Sequence, residues 1–427
     1  MKTKNGKSIN HETELLNGFA PSKDGIHSLL NTEKGRRWLS AIDDAYERGI
    51  YAYQPTLENF QNARATVDGK KFLVFSSYDY LGLIGNREIN EAAADAIHQF
   101  GTGTGGVRLL TGTLSIHREC EAALARFMRC EDSITFTSGY MANLALFSSI
   151  NDHETLFIVD SLIHHSIIDA LKLANGNIRR FHHNDVESIE NILQTETNRK
   201  RKIIVTEGIF SMEGDIPPLK EIVGLKQNHE CFLIIDESHS FGVLGKSGRG
   251  VTEHFNIDPN EVDAFVFSLS KVVPANGGCI AGSGELIALL QHDSSPFIFS
   301  GSMSPPVAAA IIKSVEVIEK AESSREMLYK KTEFLRQTIF SEGYVAAHSI
   351  SPIVPLIAGT DESTYRLAKF LRAQGILVSP VVFPAVRRGK SRIRLCVNID
   401  HAVDDIKYLG SCLHHFQNTE WLARENQ

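Results

Sequence analysis

Between residues 86 and 317, short apolar runs alternate with longer stretches of helical periodicity. The runs at 133–137 (SITFT), 156–160 (LFIVD), 203–206 (IIVT), 231–236 (CFLIID), 264–267 (AFVF) and 279–281 are mostly continuous in apolar or β-branched residues. Strands covered by helices on both faces read that way, whereas a strand with one wet face alternates. Helix-length connections between them imply βαβ units and a mainly parallel, doubly wound sheet, an α/β fold. Upstream, Trp38, Leu39, Ile42 and Tyr46 recur near the helical period, which predicts a helix over 36–48 stopped by Gly49. Residues 71–77 favour β structure. Downstream, the pattern predicts helices at 322–337, 363–374 and 402–416 and strands at 353–357, 376–382 and 392–397. The expected organisation is a mobile arm (1–30), a segment joining the small domain (31–85), a large domain (86–317) and a small α/β domain (318–427).

Composition narrows the function classes. The chain has 427 residues and a net charge of −7, so no global basic field favours nucleic acid or an anionic membrane. Six cysteines lie scattered without C-x-x-C spacing, and no H-E-x-x-H is present, so no metal site is expected. Cysteines used in this way fit a reducing, cytoplasmic compartment. No apolar run reaches the length of a membrane span.

Ligands of an open parallel sheet bind at the carboxyl ends of its strands. There the chain places Ser138-Gly139-Tyr140 ahead of a helix, whose first N–H groups favour an anion. It places Asp236-Glu237-Ser238-His239 after the 231–235 run, and Ser268-Leu269-Ser270-Lys271 after 264–267. Each alone has an ordinary reading: a βα turn, a helix-capping acid with a surface histidine, a solvated lysine. Together, in this order, they match the needs of pyridoxal phosphate. Its phosphate needs backbone donors, its ring nitrogen an acid, and its aldehyde a lysine amine.

These stretches, with SSYDYLGL (76–83), GTGTGGVRLLTGT (101–113), HHSIIDA (164–170), TEGIFSMEGDIPPLKEI (206–222), IIDESHSFGVLGKSGRG (234–250) and FIFSGSMSPP (297–306), resemble the α-oxoamine synthases, pyridoxal-phosphate enzymes of fold type I. The resemblance spans about Phe72 to Leu409. Members include serine palmitoyltransferase and 8-amino-7-oxononanoate synthase. They condense an amino acid with an acyl thioester, as a rule with loss of carbon dioxide, in biosynthesis that includes lipid metabolism. The resemblance implies a large cofactor domain, a smaller α/β domain and a homodimer with shared sites.

It also implies residue roles. Lys271 would carry the cofactor aldehyde and move the Cα proton. Asp236 would pair with the ring nitrogen, His239 and Ser211 with the phenolic oxygen, and His164 would stack on the ring. Gly139, Tyr140, Ser268 and Ser270 would hold the phosphate, with Ser302 supplied to the partner subunit. Arg394 would bind the substrate carboxylate, with Arg392 as the alternative on the same strand face. Departures from the family pattern fall at Tyr78, Val107, Ala385 and Arg387. Tyr78 is a feature shared with serine palmitoyltransferases, whereas Val107 and Ala385 remove hydroxyls from the expected substrate pocket. The donor is coenzyme A or an acyl carrier protein. Two other readings stand beside this one: a pyridoxal-phosphate aminotransferase or β-eliminating lyase, and a non-catalytic regulatory subunit.

Overall fold

The computed structural model describes residues 32–346 and 350–424. The expected arm, 1–30, lies outside the described residues. Among the described residues the first helix, Glu33–Glu47, opens on Thr32, whose hydroxyl accepts from the Gly35 N–H. Gly49 follows at φ +59°, a left-handed turn that suits glycine. Strands β1 (Asn59–Gln61), β2 (Arg64–Val67) and β3 (Lys70–Val74) then form an antiparallel meander.

The central sheet has seven strands: β4 (Asp132–Phe136), β5 (Thr155–Asp160), β6 (Asn177–Phe181), β7 (Arg201–Glu207), β8 (Phe232–Asp236), β9 (Ala264–Ser268) and β10 (Gly278–Gly282). Their spatial order is β4-β10-β9-β8-β7-β5-β6. All pairings are parallel except those of β10, which runs against both neighbours. Every residue of β5 is buried, which is why its sequence is apolar without alternation. The edge strand β6 (NIRRF) is different: its two arginines are exposed, and its periodicity gives no strand signal.

After the helices Pro305–Glu319 and Glu322–Ser341 come β11 (Val345–Ala346), β12 (Ile353–Gly359), β13 (Ile376–Leu377), β14 (Ser379–Val381) and β15 (Ser391–Cys396). The single strand expected over 376–382 is two. Ile376 and Leu377 pair in parallel with β3, while Ser379–Val381 pair antiparallel with β15. The chain changes sheets at Val378, and Pro380, lacking an N–H, sits on the edge strand of its sheet. Through β13 the amino-terminal meander and the carboxyl-terminal sheet are joined. The Phe75 carbonyl also accepts from the Cys396 N–H at 2.7 Å, which brings the SSYDYLGL segment beside β15.

Candidate active site

Strands β4, β5, β7, β8 and β9 deliver their carboxyl ends to a cavity of ≈ 90 Å³ lined by Gly139, Asn143, His164, Glu207, Asp236, His239, Ser268 and Lys271, among others. Ser138 caps the helix Gly139–Ser149 by accepting from the Met141 N–H at 3.2 Å. The first-turn N–H groups of Gly139 and Tyr140 have no intrahelical partner by helix geometry. Gly139 is required for the approach of this helix to β9, because a Cβ there would lie 2.7 Å from Ser268 Cβ. The Ser268 and Ser270 hydroxyls lie 2.8 Å apart beside the same turn. Together they form an anion cradle at a helix start.

Asp236 ends β8 and is 4 % exposed. It accepts from Asn143 Nδ2 at 3.2 Å and from the Ser238 N–H at 2.9 Å, and pairs with no cation among the described residues. Asn143 also donates to Ser166 Oγ at 2.9 Å, and its Oδ1 is buried without a partner. His164 caps the next helix, with Nδ1 2.7 Å from Ser166 Oγ. Its pKa is lowered chiefly by burial, against the pull of Asp236. His239 is driven well below the usual value by burial and then by Lys271, so both imidazoles are neutral at pH 7. The Tyr80 hydroxyl lies 2.9 Å from His239 Nδ1; a phenol donating there leaves the ring N–H on Nε2. Glu207 is pushed well above the carboxyl range by burial and then by Asp236. It accepts from the His164 backbone N–H at 2.6 Å and thereby holds the main chain at the start of that helix. Lys271 follows β9, and burial lowers its pKa against the opposing effect of Asp236 and Glu207. The free amine, the nucleophilic form, is thereby favoured.

Lys271 also borders a second cavity of ≈ 450 Å³, lined by Ser77, Tyr78, Asp79, Ser270 and Pro274, among others. Tyr78 leads from there to the arginines of β15. Arg394 Nη2 donates to the Tyr78 hydroxyl, and the guanidinium carbon lies 4.8 Å from the Tyr78 ring centroid. Its other contacts are weak: Nη1 lies 3.4 Å from the Ser211 carbonyl and 3.8 Å from Met212 Sδ. Its Nε is buried and unpartnered, and no carboxylate among the described residues pairs with it. Arg392 contrasts at every nitrogen that bonds. Nη1 reaches Glu213 Oε1 at 2.8 Å and the Met212 carbonyl at 2.9 Å, while Nε reaches the Lys390 carbonyl at 3.0 Å.

Of the residues expected from sequence, the structure brings together Gly139, Tyr140, His164, Asp236, His239, Ser268, Ser270 and Lys271, with Tyr78 and Arg394 adjoining. Ser211 lines neither cavity bordered by Lys271 and presents its carbonyl to Arg394. Ser302 donates to the Gly106 carbonyl at 3.0 Å, Val107 bridges to Gly301, and Ala385 is exposed on the 382–390 loop. None of these three lines either cavity. Sequence reasoning missed Asn143, Glu207 and Tyr80 as site residues. The available signals were an amide on an apolar helix (MANLALF) and an acid closing the apolar run IIVT.

The donor set fits pyridoxal phosphate. A buried carboxylate without a cation among the described residues suits a protonated ring nitrogen, an open helix start suits a phosphate, and a lysine lines the same cavity. The orphaned Asn143 Oδ1 marks a cavity whose polar walls are not self-satisfied.

Residues 70–409 match the family described as aminotransferase class I and II. An 8-amino-7-oxononanoate synthase of Bacillus velezensis is 36% identical over 86% of this chain and 93% of that protein. The serine palmitoyltransferase of Sphingobacterium spiritivorum is 35% identical over 86% of this chain and 92% of its own length. Among solved structures, the Sphingomonas wittichii serine palmitoyltransferase superposes with a TM-score of 0.88 at 28% identity, covering 92% of this chain and 99% of the other.

Proposed function

The chain belongs to the aminotransferase class I and II family and, within it, to the α-oxoamine synthases, and from that premise we propose how its own residues carry out a decarboxylating acyl transfer. An amino acid and an acyl thioester give an α-amino ketone, carbon dioxide and a free thiol. Between heavy atoms one bond forms, from the amino-acid Cα to the acyl carbon, while the Cα gives up one proton and later regains one and the thiol leaves protonated. Two break, the thioester C–S bond and the bond from Cα to its carboxylate. Pyridoxal phosphate, when bound, supplies an aldehyde that links to amines and a protonated ring that withdraws the electron pair left at Cα.

The chain supplies the rest. Gly139 and Tyr140 N–H groups with Ser268 and Ser270 hold the phosphate. Asp236, oriented by Asn143, keeps a proton on the ring nitrogen. Neutral His164, whose backbone N–H is held by Glu207, would stack on the ring. His239, fixed by Tyr80, would bond the phenolic oxygen. Lys271 takes the Cα proton and later returns one to the product carbon, a role that the burial lowering its pKa favours. Arg394 holds the amino-acid carboxylate with the Tyr78 hydroxyl beside it. The second Lys271 cavity receives the thioester.

The observation that carries this reading is Arg394. It is a buried cation with no acid partner among the described residues, joined through Tyr78 to the cavity of the reactive lysine. Arg392 is already neutralised by Glu213, which makes it a support and not a ligand. Tyr78 inclines the substrate choice toward that of serine palmitoyltransferases. The donor is an acyl-coenzyme A or an acyl carrier protein. Exposed Leu110 (75 %) and Phe299 (81 %) flank Val107 and Ser302, which supports a homodimer in which Ser302 serves the partner's phosphate site. No described helix is long and apolar enough to cross a membrane, and five of six cysteines are buried free thiols, which supports a cytoplasmic setting.

The test is a matrix of amino acids against acyl thioesters, read by product mass and by free thiol. The reading requires an amino ketone with thiol release for at least one pair. Keto acid formed without any acyl donor would establish the transaminase alternative instead.

A further inference from the structure

His183 sits in the loop after β6, outside both cavities bordered by Lys271. Its Nδ1 lies 3.0 Å from Asp160 Oδ1 and its Nε2 lies 2.9 Å from Asp215 Oδ2. An imidazole with carboxylates at both nitrogens donates twice, so it is the imidazolium form. Burial alone would lower its pKa, but the bonds to Asp160 and Asp215 outweigh burial and raise it to about 10. The Phe210 ring meets it edge-on, with centroids 4.5 Å apart.

The two acids belong to different parts of the site. Asp160 is the fully buried last residue of β5, and also accepts from the Leu162 and Asn184 N–H groups at 2.8 and 3.0 Å. It is immobile. Asp215 closes the loop that leaves the β7 end, where the Phe210 N–H donates to the Asp215 carbonyl at 3.0 Å and the Gly214 N–H to the Phe210 carbonyl at 2.7 Å. Gly214 takes φ +73°, a turn that favours glycine. Asn184 Nδ2 adds a bond to the Ile216 carbonyl at 3.1 Å. Asp215 is therefore tied to the turn that carries Ser211, Met212 and Glu213, whose Gly214 carbonyl also accepts from Ser351 Oγ at 2.6 Å. Those three are the ones that meet Arg392 and Arg394.

We propose that His183 is a positioning residue for the amino-acid carboxylate site: it clamps the 211–215 loop to the end of β5, so that Glu213 stays on Arg392 and Arg394 is left for the substrate. This rests on the reading of Arg394 as the carboxylate-binding cation. Without the imidazolium, Asp160 and Asp215 face each other with no charge between them. The loop is repelled from its anchor, and Glu213 becomes free to compete for Arg394.

The experiment uses the cofactor-loaded enzyme without acyl donor. Binding is read from the cofactor absorbance. The probes are the amino acid found active in the matrix above and its decarboxylated amine, which differ only by the carboxylate. His183→Gln is expected to weaken the amino acid by at least about 10-fold and the amine by less than about 2-fold. The double variant H183Q/D215N removes the repulsion and restores a neutral bridge, so amino-acid binding returns to within about 3-fold of wild type. Equal weakening of both probes, or none, overturns the proposal. If H183Q fails to fold, judged by cofactor content and thermal unfolding, Asp215→Ala is read in the same way. Arg394→Met separates the two readings. If it does not abolish the preference for the carboxylate, the site assignment fails; if it does while H183Q behaves as wild type, only the clamp fails.

Discussion

Arg392 and Arg394 lie two residues apart on one strand face, and both are about equally buried. Replacing each by methionine removes the charge and keeps most of the length. Arg394 contributes two free or weakly engaged N–H directions to an incoming carboxylate, and hydrogen bonds to charged groups contribute ~1.5–3 kcal/mol each. Taking the lower value for both gives about 3 kcal/mol, or roughly 100-fold in amino-acid affinity. Folding stability should hold or rise, because a buried cation without an acid is being removed. Arg392→Met does the reverse. It strands Glu213, whose side chain is 19 % exposed, at a cost of ~1–3 kcal/mol in stability. Amino-acid affinity falls by less than about 10-fold, because His183 still pins the loop. Absorbance titration of the loaded enzyme with amino acid, alongside urea unfolding, measures both quantities. A larger affinity loss in R392M than in R394M would refute the assignment, as would a clear destabilisation by R394M.

Three other outcomes follow from named contacts. Gly139→Ala places a methyl 2.7 Å from Ser268 Cβ, which shifts the helix start and its N–H groups; cofactor affinity should fall at least about 10-fold, with ~1–3 kcal/mol lost in stability. Unchanged cofactor titration in this variant would disprove the cradle. Glu121→Gln inserts a donor among Arg108, Arg118 and Thr135, which all donate to the 2 %-exposed carboxylate, and should cost ~3–5 kcal/mol by urea unfolding; a loss below ~1 kcal/mol would contradict that. The His183 pKa is raised on folding from 6.5 to about 10 by Asp160 and Asp215, so its stabilisation is complete below about pH 6.5 and fades as pH rises through 10. The stability gap between wild type and H183Q should therefore close over that window, by ~2–4 kcal/mol; a gap that widens with pH would show that the ring is neutral in the folded state.

The parts that could be read from sequence are those where one physical demand acts on neighbouring residues. Buried parallel strands such as β5 and β8 announce themselves because every side chain of β5, and every one of β8 after Phe232, is covered. Asp236, His239 and Lys271 stand at the ends of such runs, so their place in the site follows from that of the strands. The edge strand Asn177–Phe181 did not show, because its arginines face water. The break at Val378 did not show either, because both halves favour β structure and only the sheets they join differ. Asn143, Glu207 and Tyr80 act through contacts between distant segments, which spacing cannot reveal. His183 is the sharpest case. Only the fold brings Asp160 and Asp215 to its two nitrogens.

The central claim is that Lys271 works in a decarboxylating acyl transfer, and the fate of the amino-acid carboxylate tests it most directly. With a carboxyl-labelled amino acid and the matching acyl thioester, label should leave as carbon dioxide in a one-to-one ratio with free thiol, and Lys271→Ala should release neither. Label retained in the acylated product, or recovered in a keto acid without thiol release, would contradict it.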